Sequence, residues 1–264
     1  MGRQSGASVK DRAAPGQTEP ARRGELLGLP LSCVGQDALI DWLLAPSPRP
    51  RVAAYLNAHT VNMALGMRRR GGTSPWHHCD MLYADGMPVV WAARRRGLPV
   101  PERVSAADFF PRFCWAAAAR GRTVALVGST EEAVRRCAVS LETNIPGLKM
   151  VHVSGGYHQA GTPERQAVVR GLQESRPDVT LLGMGSPRQE EFALELQESG
   201  AGGTIWCVGA LFDYFDPKGR SRAPLWMREA GLEWIWRLAL EPRRLAGRYL
   251  LGNLLFLLRL SRLI

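Results

Sequence analysis

Six short apolar runs, each followed by a stretch long enough for a helix, constrain this chain more than any other feature. They read "RVAAYLN", "MLYADG", "TVALVG", "KMVHVSGG", "DVTLLGMG" and "TIWCVGA". Strands that are apolar along their whole length are buried on both faces, and parallel strands need a crossover of helical length between them. The repeat therefore predicts an α/β domain with a mostly parallel sheet and helices on both faces. "STEEAVRRCAVSLETNIPG" reads as one of those helices. Ser129 or Thr130 caps it, Glu131 and Glu132 suit its positive end, and Pro146-Gly147 follows its close.

The strands end in polar or glycine turns: Asn57, Asp85-Gly86, Gly128-Ser129, Gly155-Gly156, Gly183-x-Gly185 and Gly209. In open α/β sheets ligands collect at the carboxyl ends of the strands, so these turns outline a cleft in a Rossmann-like sheet. None carries a third glycine at G-x-G-x-x-G spacing, which argues against a nicotinamide cofactor. The turn "LLGMGSPRQEEF" has two readings. Structurally, Ser186 is an N-cap, Pro187 the first helical residue and Gln189 the partner reaching back, a capping box. Functionally, the same polar groups sit where a ligand would bind.

Charge distribution narrows the partners. The net charge is +10, and from Lys218 to Ile264 ten basic residues face three acidic ones, leaving +7 in the tail. A nucleic-acid groove would spread basic side chains over several elements, whereas here the body is nearly neutral and the appendage is basic. Five widely spaced cysteines without C-x-x-C read as reduced core thiols, and "WHHCD" lacks the second cluster that a metal site needs. Residues 1–25 have no apolar signal segment and read as a disordered lead-in, followed by the α/β domain over 26–217 and a basic amphipathic appendage over 218–264.

In that appendage Arg244, Arg248, Arg259 and Arg262 fall within about 60° on a helical wheel, opposite a broad apolar face. "YLLGNLLFLL" is too short for the ~20 residues needed to cross a bilayer. Such a helix fits an anionic lipid surface. The alternative is a terminal helix that docks on the sheet, or on a second copy of the chain in a homo-oligomer.

In this order, "NAHTVNMA", "YADGMPVVWAARRRG", "RVSAADFF", "VALVGSTEEA", "GGYH", "PDVTLLGMGSPRQEEF", "VGALFDYF" and "RAPLWMREAGLEWIWRLALEPRRLAGRYLLGN" resemble the WecG/TagA/CpsF glycosyltransferases, glycosyltransferase family 26, from about Asn57 to Asn253. The resemblance implies an inverting transfer with no metal or other cofactor. The sugar, often N-acetylmannosamine, would move from a UDP-sugar donor to a polyprenyl-diphosphate-linked sugar at the inner face of the bacterial membrane. It implies a cytoplasmic, peripheral enzyme of surface-polysaccharide synthesis with no nucleic-acid partner. Asp85 would be the base; its plain reading is a turn residue, since Asp-Gly is a turn pair anywhere. Asn57, Thr60, Gly86, Gly185, Gln189 and Glu190 would border the substrates, and Arg222, Arg237, Arg244 and Arg248 would meet the diphosphate. "RVSAAD" departs from the family with Ala106 in place of glycine, and "DYFDPKGRSRAP" puts Asp216-Pro217 where a shorter turn is usual. The rival from another class is a non-catalytic basic nucleotide- or nucleic-acid-binding module. It would need basic and aromatic residues on turns that are instead acidic, amide or glycine.

Overall fold

The computed structural model describes residues 23–261, apart from the side chains of Glu229, Arg244, Arg248 and Tyr249. The lead-in up to residue 22 and Arg262 lie outside the described residues. Residues 23–25 depart from the lead-in reading, because β1 (Arg23–Leu26) pairs antiparallel with β2 (Leu29–Ser32). The hairpin turns through Leu27 and Gly28 at φ 58° and 78°. Positive φ at both central residues matches the right-handed twist of the strands.

After α1 (Gln36–Leu44) the chain enters the main sheet: β3 (Arg51–Leu56), α2 (Ala58–Arg69), β4 (Met81–Ala84), α3 (Met87–Arg95) and α4 (Ala106–Ala119). It continues through β5 (Thr123–Gly128), α5 (Glu131–Asn144), β6 (Lys149–Ser154), α6 (Pro163–Ser175), β7 (Val179–Gly183), α7 (Arg188–Glu198) and β8 (Thr204–Cys207). All six expected strands form, and they join in the order β4-β3-β8-β7-β5-β6 with every pairing parallel. The chain winds outward to β4, crosses to β5 and β6, then returns to fill the centre with β7 and β8. The carboxyl ends of β3, β4, β7 and β8 therefore lie side by side.

Period-2 alternation splits the strand side chains between two cores. Val52, Ala54, Leu56, Leu82 and Leu182 face the layer of α2, α3 and α7, with Phe192 and Leu196 among its buried residues. Ala53, Tyr83, Leu126, Leu181 and Trp206 face α4 and α5, where Phe109 stacks on Trp206 at 5.4 Å. Of the two caps foreseen for α5, Thr130 is the one used, accepting from the Ala133 amide at 3.3 Å.

Beyond α8 (Leu211–Phe215) come α9 (Leu225–Glu229), α10 (Glu233–Leu240), α11 (Pro242–Ala246), a π-helical turn over Gly247–Leu251, and α12 (Gly252–Ser261). The π turn interrupts the 3.6-residue period on which the arginine stripe was drawn, and the side chains of Arg244 and Arg248, like Arg262, lie outside the described residues. α12 docks on α2. Phe256 is fully buried, the Asn62 amide donates to the Gly252 carbonyl at 2.7 Å, and Arg259 donates to Asn62 Oδ1 at 2.6 Å. Arg259 therefore helps to dock the helix on α2. The outer face of the same segment leaves Leu250, Leu251, Leu254, Leu255 and Leu258 exposed. Among the described residues no helix is long and apolar enough to cross a membrane.

Candidate active site

The strand ends open into a cavity of about 790 Å³. Its floor is Asn57 after β3, Asp85-Gly86 after β4, Gly183 and Gly185 after β7, and Gly209 after β8. One wall is α3 with Met87, Trp91 and Arg95, and another is the appendage with Trp234 and Arg237 on α10 and Phe256, Leu257 and Leu260 on α12.

Each floor residue has a local reason for its place. Asp85 extends β4 by one residue, its amide donating to the Leu56 carbonyl at 2.8 Å. Gly86 follows at φ 120°, a region closed to residues with a Cβ, and its carbonyl starts α3 by accepting from Val89 and Val90. Asn57 caps α2: Oδ1 accepts from the His59 and Thr60 amides at 3.0 and 3.1 Å, while its own amide donates to Thr60 Oγ1 at 2.9 Å. That leaves Nδ2 as the Asn57 group available to a ligand.

Asp85 is enclosed by protein on all sides but the cavity. Burial pushes its pKa up to about 6, opposed by the Arg103 guanidinium, reinforced by Glu233 and Asp108, and opposed again by Arg237. A carboxyl poised there is ionised at neutral pH yet basic enough to take a proton. The charges around it are interlocked. Arg103 donates to Asp108 at 2.5 Å, Arg222 donates to Asp108 at 2.6 Å and to the Ala107 carbonyl at 2.8 Å, and Glu233 lies 4.0 Å from Arg103 and 3.6 Å from Arg222. The cluster ties the appendage to the start of α4.

The expected site residues divide. Asp85, Asn57, Gly86, Gly185 and Arg237 line the cavity. Thr60, Gln189 and Glu190 are fully buried behind it, and Arg222 is taken up by Asp108 and Ala107. These four stand behind the cavity lining and not on it. The capping box at Ser186 is corrected. α7 begins at Arg188, the Gln189 amide donates to the Gly185 carbonyl at 3.1 Å, and Ser186 Oγ donates to Glu190 Oε1 at 2.8 Å instead of capping. Gln189 Oε1 instead accepts from the Gly209 amide at 2.9 Å, and its Nε2 donates to Glu190 Oε1 at 2.9 Å. Burial raises the Glu190 pKa to about 7, and its Oε2 has no hydrogen-bond partner among the described residues. The side chains of Arg244 and Arg248 lie outside the described residues.

Sequence reasoning missed Arg95, Arg103 and Arg220, all of which line the cavity. Arg220 pairs with Glu241 at 2.5 Å. The residues of "WHHCD" do not converge: His77 and His78 are exposed, Cys79 is buried, and Asp80 accepts from Val52, Arg49 and Gln197.

The cavity thus has a carboxylate on its floor, arginines around it and α12 as part of one wall. The family model for the WecG/TagA/CpsF glycosyl transferases matches residues 24–263. The chain belongs to this family. Among similar proteins, an N-acetylglucosaminyldiphosphoundecaprenol N-acetyl-beta-D-mannosaminyltransferase of Bacillus subtilis strain 168 is 26% identical over 165 residues, which cover 62% of each chain. The protein of that name from Staphylococcus aureus strain NCTC 8325 is 24% identical over 203 residues, 77% of this chain and 74% of the relative. The Asp-Gly turn, the cavity arginines and the appendage helices all fall within the matched residues.

Proposed function

We propose that the protein is an inverting glycosyltransferase that moves N-acetylmannosamine or a related hexose from its UDP form to a polyprenyl-diphosphate-linked sugar, working peripherally at the inner face of the membrane. The observation that carries this reading is the placement of Asp85, a carboxyl with its pKa raised to about 6 on the floor of a cavity rimmed by arginines. Asp85 takes the proton of the acceptor hydroxyl as its oxygen bonds to the anomeric carbon. The bond from that carbon to the β-phosphate oxygen breaks, and its electron pair leaves with UDP. One displacement inverts the anomeric centre. The negative charge growing on UDP is met by Arg95, Arg220 and Arg237, and no metal is required.

The appendage completes the reading. α12 presents Phe256, Leu257 and Leu260 to the cavity and exposed leucines to the outside, so one short helix can close the site and rest on lipid. The test is incubation with a panel of UDP-sugars and a short-chain lipid-diphosphate-sugar acceptor, following UDP release and the extended acceptor. Transfer that requires both substrates is expected. Nucleotide binding without transfer from any UDP-sugar would replace this reading with a non-catalytic nucleotide-binding module.

A further inference from the structure

A second cavity, of about 630 Å³, lies away from Asp85 and is lined by Glu25, Leu27 and Gly28 of the hairpin, Arg68 and Arg69 at the end of α2, Arg96 after α3, and Arg259 of α12. Four arginines face one carboxylate there. Arginines at helix carboxyl ends are ordinarily explained by the helix dipole, and that accounts for Arg68 and Arg69 singly. Docking to Asn62 accounts for one edge of Arg259. Neither explains why guanidinium groups from three separate elements converge on one hollow, where like charges repel. Nor does either explain Arg259 Nε, which is buried and has no hydrogen-bond partner among the described residues. Burial, and then the nearby charge of Arg69, lowers the Arg259 pKa.

The position of the hollow identifies the anion. Arg259 follows Leu258 and stands one turn beyond Leu255, both exposed on the outer face of α12. Leucines resting in the acyl boundary would hold the arginine cavity at the depth of the headgroups. We propose that this cavity binds the phosphate of an anionic phospholipid headgroup. A hollow of this size takes a glycerophosphate, and converging guanidinium groups match its oxygens with paired donors. The inference rests on the membrane-surface reading above and adds to it a defined headgroup site on the body of the fold, separate from the substrate cavity.

The test uses the full chain with vesicles of phosphatidylcholine alone or mixed with phosphatidylglycerol. Arg68→Ala and Arg69→Ala are each compared with Arg70→Ala, an exposed neighbour outside the cavity lining. Each cavity variant should lower phosphatidylglycerol-dependent binding about 5-fold or more, and Arg70→Ala less than about 2-fold. All three are surface changes, so thermal unfolding should be unaltered. An equal fall for all three would mean diffuse surface charge, and no fall would mean no headgroup site; either overturns the proposal. Inorganic phosphate without vesicles separates the sources. If it raises the unfolding temperature of the unmodified protein but not of Arg69→Ala, while leaving vesicle binding unchanged, the site is for soluble phosphate and the lipid assignment falls. Transfer to the short-chain acceptor is measured in parallel and should be unchanged in all three variants. Absence of transfer in the unmodified protein would sink the glycosyltransferase reading without touching the vesicle result.

Discussion

Gln189 accepts a hydrogen bond from the Gly209 amide at 2.9 Å, joining the first turn of α7 to the turn that follows β8. Gly209 is on the cavity floor and Gln189 is behind it, so the glutamine fixes the backbone of the floor. Gln189→Ala leaves the Gly209 N–H without its acceptor in a buried place. The expected cost is about 1–3 kcal/mol, read as a fall in the thermal midpoint of roughly 2–4 °C per kcal/mol. An unchanged midpoint together with a collapse in donor affinity would return Gln189 to the role of direct ligand.

Asp85→Asn keeps the size and turn preference of the aspartate but cannot take a proton. Turnover should fall by roughly 100-fold or more while donor affinity changes little. Near-normal turnover would remove Asp85 from the role of base.

The raised pKa of Asp85 sets a pH profile with a fixed sign. The base must be ionised, so kcat/KM should rise as pH increases through about 6. Glu233→Gln removes a negative neighbour and should shift that limb to lower pH; loss of Arg103 should shift it higher. Stability runs the other way. A carboxyl whose folded pKa is raised favours the folded state when protonated, and that contribution is lost as pH rises from the ordinary aspartate range through about 6. Asp85→Asn should therefore be at least as stable as the unmodified protein at pH 7, measured by denaturant unfolding. A destabilised Asp85→Asn would mean that the ionised carboxylate has a structural partner.

The sheet was legible because parallel strands buried on both faces read as unbroken apolar runs, and Asp85, Gly86 and Gly185 were legible because they end those runs. The hairpin was not, since Leu27-Gly28 lacks the Asn-Gly or Asp-Gly signature of its turn and asks a leucine to take positive φ. Arg95, Arg103 and Arg220 stand at a helix end or in connecting segments, where an arginine looks like solvated surface until tertiary folding closes a cavity over it. The tail misled in another way. Residue spacing assumed one continuous α-helix, and the π turn over Gly247–Leu251 resets the phase before Arg259.

Chelation separates arginine from metal chemistry. Asp216, one of the carboxylates a metal would use, accepts two hydrogen bonds from Arg136 at 2.8 and 2.7 Å and one from the Lys218 amide, and Asp213 accepts from Ser129 Oγ at 2.9 Å. Both are held by protein donors, and Arg95, Arg220 and Arg237 stand on the cavity alongside Asp213. Transfer should survive EDTA. Complete loss, restored by Mg2+ or Mn2+, would move the diphosphate from the arginines to a metal.

The two faces of α12 make separable predictions. Its inner face buries Phe256 against α2 and walls the cavity, and its outer face leaves Leu254 and Leu258 exposed one turn apart. Leu254→Ser with Leu258→Ser removes apolar area from the outer face without touching the cavity lining. Inserting a leucine in lipid is worth roughly 1.5–3 kcal/mol, so vesicle co-sedimentation should drop more than about tenfold while transfer to a soluble short-chain acceptor is retained. Truncation after Pro242 removes both faces. It should abolish vesicle binding and also lower transfer to the soluble acceptor, because Phe256, Leu257 and Leu260 are lost from the cavity wall. Undiminished vesicle binding by the truncated chain would rule out the tail as the anchor and leave α12 with the single task of closing the site.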